Sequence, residues 1–204
     1  MFSGTYPFGV TTEQGLLARE VEYLAKEYDR VILVPKTCKG ARLPLPARVE
    51  VDESYAAFLR SPSGILAVLR AIFSAHFYQD ILTHPWLLLA PSSLVRLVRF
   101  IGAAMLTRQW VEGWLEWTQT DSRQCVFYTY WFDQGAMGIG LAKKHYPQIK
   151  IVSKAHNYDL YEERYDPPYW PCRRTALSLI DGLFTDSEVG KQYLLKSLQH
   201  IQIP

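Results

Sequence analysis

Ile149-Lys-Ile-Val-Ser-Lys-Ala-His-Asn-Tyr-Asp-Leu-Tyr-Glu-Glu-Arg164 starts as an apolar strand and breaks into polar side chains at Lys154, His156, Asn157 and Asp159. In an open α/β sheet, ligands bind at the carboxyl ends of the strands, where backbone amides and loop side chains converge. A histidine at such a place can donate, accept or change charge near neutral pH. Those polar groups have no evident structural duty in the sequence, so the stretch reads as a functional lip centred on His156. The plainer alternative is a histidine hydrogen-bonded at a strand end.

Strand and helix periods alternate on either side of this stretch. Upstream, Cys125 to Trp131 is an aromatic-rich run suited to a pleated strand, and Gly135 to His145 follows as a helix closed by Pro147. Downstream, a Pro-rich loop through Asp166-Pro-Pro168 leads to a helix over Arg173 to Ile180. A strand over Gly182 to Ser187 and a helix over Glu188 to Leu198 come next. Nearer the start, Glu13 to Tyr28 puts Leu16, Leu17, Val21, Leu24 and Ala25 on one helical stripe. Val31 to Val34 and Arg48 to Asp52 read as short strands around a loop from Lys36 to Pro46. Pro62 to about Thr118 is helical by pattern, with breaks near Pro85 and Pro91. Strands alternating with helices over short connections predict an α/β chain: a Rossmann-like, doubly wound parallel sheet.

Bulk properties narrow the function classes. The chain has 204 residues, 49% hydrophobic and 14% aromatic, which supplies a core and argues against disorder. A net charge of +2 permits an anionic ligand or membrane surface, and no Lys/Arg run is dense enough for a nucleic-acid arm. Cys38, Cys125 and Cys172 are odd in number and lack CxxC spacing, so neither a disulfide framework nor a metal site is expected, and a reducing cytoplasm is. The first residues lack the pattern of a signal peptide, and the apolar zone Trp86 to Leu106 is interrupted by Pro91, Arg96 and Arg99, against a transmembrane span. Both ends of the sequence look cut.

Several other residues are candidates. Tyr6 to Gly15 is a small-residue turn leading into a helix, offering backbone amides to a phosphate, and Tyr6, Gly9, Glu13 and Gln14 are its candidate contacts. A simple turn capped by Thr12 is the alternative, and the stretch is not GxGxxG, which argues against a plain NAD site. Ser187 and Glu188 stand between a strand and a helix, where Ser187 can cap the helix or face a ligand. Tyr128, Tyr130 and Trp131 alternate at a strand end, packed in the core or set to stack on sugar rings. Leu94 to Ile101 is amphipathic and basic, either lying on anionic lipid or facing the core with Arg96 and Arg99 exposed.

With these residues in place, the chain resembles the N-terminal lobe of bacterial GT-B glycosyltransferases of family GT4, retaining enzymes of the colanic-acid and capsular polysaccharide type. Tyr6 to Gly9 is similar to the opening turn of such lobes, and Glu13 to Glu22 to their Glu-rich helix. Ser153 to Glu163 is similar to a Ser-Arg-Ala-His-Gly-x-Asp-Leu-Tyr-Glu-Glu motif, and Asp186 to Gly190, with Tyr193-Leu194 following, to an Ile-Ser-Glu-x-Gly-like turn. The likeness covers essentially the whole chain and is strongest from Val126 to Leu198. Lys154 stands where Arg is usual, Asn157 where Gly is, and Thr11 and Thr12 where Gly is common.

The resemblance implies the acceptor-side half of a two-lobed enzyme whose C-terminal, donor-binding lobe is absent from these residues. His156 would approach the transferred sugar as the catalytic residue, with the Gly9 to Gln14 loop facing the diphosphate. Tyr130, Trp131, Lys154, Asn157, Asp159, Ser187 and Glu188 would join Tyr6, Gly9, Glu13 and Gln14 in binding substrate. The partners implied are a nucleotide-sugar and a glycan or lipid-linked sugar acceptor; contact with the anionic inner face of the membrane is the separate expectation carried by Arg96, Arg99 and their apolar neighbours. No cofactor, metal or nucleic acid is expected. This chain alone would be inactive; an intact mass about twice its own would mark the missing lobe, and a mass near 23.5 kDa a lobe that exists alone. The alternative is a non-catalytic glycan- or protein-binding module, or one half of a split transferase.

Overall fold

The structure, a computed structural model, describes residues 1–9, 12–61 and 63–198, without the side chains of 12, 63–65, 68, 197 and 198. The described chain is α/β, its strands all parallel to their neighbours and accompanied by helices, a Rossmann-like arrangement. It divides into two compact units, residues 1–61 and 62–204.

The first unit contains β1 (Phe2–Ser3), α1 (Thr12–Glu27), β2 (Val31–Pro35), β3 (Val49–Val51) and α2 (Ser54–Leu59). Strand β2 is central, pairing with β1 on one side and β3 on the other. Helix α1 buries Leu17, Val21 and Ala25, spaced four residues apart as a helical face requires. Leu16, which belongs to the same stripe in the sequence, is 51% exposed; the buried stripe is narrower than periodicity suggests. The expected cap at Thr12 lies outside the described side chains.

In the second unit, α3 (Ser63–Ile72), α4 (Ala75–Thr83) and α5 (Pro91–Thr118) fill the region expected to be helical. A 3₁₀ turn, Pro85–Leu89, separates α4 from α5. Ser74 caps α4 by accepting the Phe77 N–H, and Pro91 starts α5 where a missing N–H costs nothing. Strand β4 (Val126–Thr129) leads to α6 (Gln134–Ala142), then β5 (Lys150–Ala155), α7 (Asn157–Leu160), α8 (Arg173–Leu179), β6 (Gly182–Thr185) and α9 (Glu188–Leu198). Strand β5 lies between β4 and β6, with Thr129 beside Ser153 and Ala155 beside Thr185. The second set runs strand, helix, strand, helix, strand, as in a doubly wound sheet, whereas β2 and β3 of the first are joined without a helix.

Helix α6 is pressed against α5. A Cβ at Gly138 would stand 2.5 Å from the Ala104 carbonyl oxygen and 2.5 Å from Thr107 Cβ, so only glycine allows this approach. That contact sets where α6 begins, and hence where Asp133 and Gln134 lie.

Two expectations are corrected here. Strand β4 ends at Thr129, so Tyr130 and Trp131 lie beyond it instead of alternating within it. The segment expected to run as a loop to Pro168 contains α7 and a 3₁₀ turn, Glu162–Arg164. Helix α7 is capped by Asp159, which reaches back to the His156 N–H just after β5.

Candidate functional site

The parallel register brings the ends of β4, β5 and β6 together, and the residues just beyond them form one cluster. Beneath it, Thr129 Oγ1 donates to Ser153 Oγ at 2.7 Å, tying β4 to β5 at its carboxyl end. His156, the first residue after β5, is buried against two aromatic rings that also touch each other. Its ring centroid is 4.4 Å from that of Tyr130 and 4.7 Å from that of Trp131. Lys154 Nζ sits 5.3 Å from the Tyr130 ring centroid, a cation held over a ring face.

Asp186, the first residue after β6, closes the cluster. Its carboxylate oxygens lie 3.3 Å from Lys154 Nζ and 3.5 Å from His156 Nε2, and half of its side chain is exposed. Residue-by-residue candidate selection missed Asp186 as a site residue. The signal available was its place at the end of the last strand, beside Ser187.

Asp159 has a structural duty that the sequence conceals. It is 3% exposed, and its two oxygens accept the N–H groups of His156 and Phe132. Burial pushes its carboxyl up to about 7, against the opposing pull of those two N–H donors. Asp159 thereby fixes the backbone on both sides of the His156 pocket. Asn157 is exposed on α7. Ser187 Oγ accepts the Gly190 N–H at 3.1 Å, which is the capping role foreseen for it, while Glu188 is exposed and bonded to Gln192.

A cavity of about 630 Å³ adjoins this cluster, with Trp131 and Asp159 in its wall. Its other walls come from the first half of α5, the start of α6 and the segment through Trp170. Arg96 and Arg99 line it, one helical turn apart on α5. Arg96 donates to the Tyr169 carbonyl oxygen at 3.2 Å, and its guanidinium lies 4.5 Å from the Tyr165 ring centroid. Trp170 is 7% exposed, stacked near-parallel on Phe132, and its indole N–H is buried with no acceptor among the described residues. The basic stretch Leu94 to Ile101 is therefore turned inward on its apolar side, where Leu97, Phe100 and Ile101 are buried.

Tyr6, Gly9, Glu13 and Gln14 belong to the first unit. Glu13 Oε1 accepts the Gly4 N–H at 2.7 Å; Oε2 accepts the N–H groups of Thr5 and Tyr6 and the Thr5 hydroxyl, at 2.6 to 3.0 Å. One buried carboxylate thus organises the whole turn after β1. Tyr6 is buried, and burial, aided by Glu22, raises its hydroxyl pKa. Gly9 has φ +68°, open to glycine at little cost, and a Cβ there would meet the Lys39 carbonyl oxygen at 3.1 Å. Gln14 is half-buried on α1.

Sequence reasoning also missed Arg173, which is 6% exposed. It donates to the Leu160 carbonyl oxygen at 2.6 Å and meets Glu162 at 3.3 Å, anchoring α8 to the segment after His156. Among the described residues no set of three His, Cys, Asp or Glu side chains is grouped to hold a metal ion. No helix among them is long and apolar enough to cross a membrane. Compared with protein-family models, curated proteins and solved structures, the chain matches none.

Proposed function

We propose that the chain is the acceptor-side lobe of a retaining glycosyltransferase, moving a sugar from a nucleotide-sugar to a growing, lipid-linked cell-surface glycan. The observation that carries this reading is His156, buried against Tyr130 and Trp131 at the strand ends, with Asp186 against it and Lys154 beside Asp186. On this reading the imidazole, whose two ring nitrogens are covered in this lobe, meets a sugar hydroxyl once substrate displaces the Asp186 carboxylate from it, and the neighbouring ammonium favours the negative charge that grows on a departing diphosphate. In front-face displacement the acceptor oxygen bonds to the anomeric carbon as the diphosphate oxygen leaves from the same side. The acceptor's proton passes to that leaving oxygen.

The test uses the intact protein, a panel of nucleotide-sugars and a membrane fraction as acceptor. His156→Ala should lower transfer by a factor of about 10² or more, the range typical for removing one transition-state hydrogen bond. Its circular dichroism should remain native. Undiminished transfer in that variant overturns the role of His156, and no nucleotide-sugar consumption by the intact protein overturns the enzyme.

Peripheral contact with an anionic membrane belongs to the same reading. It is supported by the exposed Phe73 just after α3, Leu82 of α4, and Leu88 and Leu89 of the turn that follows. Failure to sediment with anionic liposomes at low salt removes it. A glycan-binding module without turnover is the second reading, favoured by the aromatic walls of the cavity. It predicts glycan retention with no nucleoside diphosphate released.

A further inference from the structure

The geometry points to an acidic hexose as the occupant of the cavity beside His156, its carboxylate or phosphate on Arg96 and Arg99 and its ring against Trp131. As a statement about the transferase's acceptor, this rests on the function proposed above; as a statement about binding, it does not.

Size comes first. About 630 Å³ falls within the range of small-molecule pockets, most of whose surface is apolar with a few placed polar groups. Here the apolar surface is largely aromatic, from Trp131, Tyr165 and Trp170. Flat rings suit the C–H face of a sugar and hold it at low conformational cost, since an aromatic side chain has few torsions to immobilise.

Charge narrows the choice further. Among the described residues, neither Arg96 nor Arg99 forms an ion pair. Arg96 is held in place by Tyr165 and the Tyr169 carbonyl, yet a guanidinium carries five N–H donors, so most remain for a ligand. A planar fork already fixed in position binds a carboxylate or phosphate in paired hydrogen bonds with little further ordering. Two carboxylates line the same wall, and each accepts backbone N–H groups. Asp133 accepts the Gly135 N–H at 2.7 Å, and Asp159 accepts those of Phe132 and His156. The guanidiniums are thus the charges best placed to meet an anion.

Titration of the intact protein with glucuronate, glucose 6-phosphate, glucose and inorganic phosphate, followed by calorimetry and indole NMR shifts, tests this. At least one acidic hexose should bind ten times more tightly than glucose, and inorganic phosphate should bind more weakly than the sugar phosphate. Preference for glucuronate or for the sugar phosphate identifies the anion. Arg99→Ala, at an exposed position, should remove that tenfold preference while glucose binding stays unchanged; Arg99→Lys should keep part of it.

Equal affinity for glucose and both acids overturns the proposal. So does an Arg99→Ala variant that binds the acid normally, or phosphate binding as tightly as the sugar phosphate. Measuring transfer and acid binding on the same intact protein separates this proposal from the transferase reading. Acid binding by a protein that transfers nothing would sink the transferase alone. Transfer to a neutral acceptor, untouched by Arg99→Ala, would sink the acidic hexose alone.

Discussion

The turn after β1 and the corner after β5 look alike in the sequence, each a strand end followed by polar residues, yet they differ in what is left over. In the first, Glu13 gathers three backbone N–H groups and a hydroxyl. Its job is to build the turn, and a carboxylate in that place repels a phosphate. In the second, Asp159 likewise gathers two N–H groups, but it holds His156 in position with the aromatic rings, Lys154 and Asp186 around it. A buried carboxylate beside a strand end is first a backbone tie; what marks a site is the set of side chains the tie leaves facing one another.

The sharpest way to break this comparison is Glu13→Ala. It strands three buried or half-buried N–H donors, each worth about 1–3 kcal/mol when left unsatisfied. A loss of about 3 kcal/mol or more in urea unfolding is expected, and a loss below about 1 kcal/mol would show that the turn does not depend on the carboxylate.

Asp159→Asn should cost less, about 1–3 kcal/mol, because one of two N–H donors then faces an amide NH₂. It also carries a pH signature. The folded protein holds the Asp159 proton up to about 7, whereas an aspartate in the unfolded chain has the ordinary value of 3.8. Between those values the unfolded state binds fewer protons, so stability should fall as pH rises through the window. The contribution is full below the lower value and lost above the upper one. In Asp159→Asn this slope should vanish; an unchanged slope between pH 4 and 7 assigns it to another group.

His156→Ala sharpens the difference between tie and site. It empties a space beside two rings and should destabilise by about 2 kcal/mol, under the cost at Glu13, while on the proposed function its effect on transfer would be far larger. A smaller effect still, about 1 kcal/mol, is expected of Ser187→Ala, which removes only the cap on the Gly190 N–H. Thermal unfolding should rank the four in this order.

Much of the fold was legible because it is local. The stripe Leu17, Val21 and Ala25, the apolar runs at Val31 and Ile149, and the Pro91 start of α5 each report on neighbours within a few turns. Two kinds of error came from the same source. Leu16 and Leu17 are equally apolar, and only packing decides which is buried. Tyr130 and Trp131 have strand composition, yet β4 stops at Thr129, where its pairing with Ser153 ends.

The site was legible in part. His156 and Lys154 stand out because a polar group follows an apolar strand, and Ser187 because it precedes a helix. Asp186 did not, since nothing near it in the chain tells that its carboxylate meets Lys154 and His156. Arg96 and Arg99 were seen as an exposed basic stripe. Their place in a cavity wall depends on where Trp131, Tyr165 and Trp170 arrive from later in the chain.

By itself, then, the sequence determined the alternation of strands and helices and the parallel α/β class, because periodicity and helix-start signals act over a few residues. Only the tertiary structure decided that Asp186 would face His156 and that two arginines of α5 would share a cavity with Trp131. Those meetings follow from the register of β4, β5 and β6 and from the close approach of α6 to α5 at Gly138. Both are properties of packing between segments far apart in the chain, which no local pattern carries.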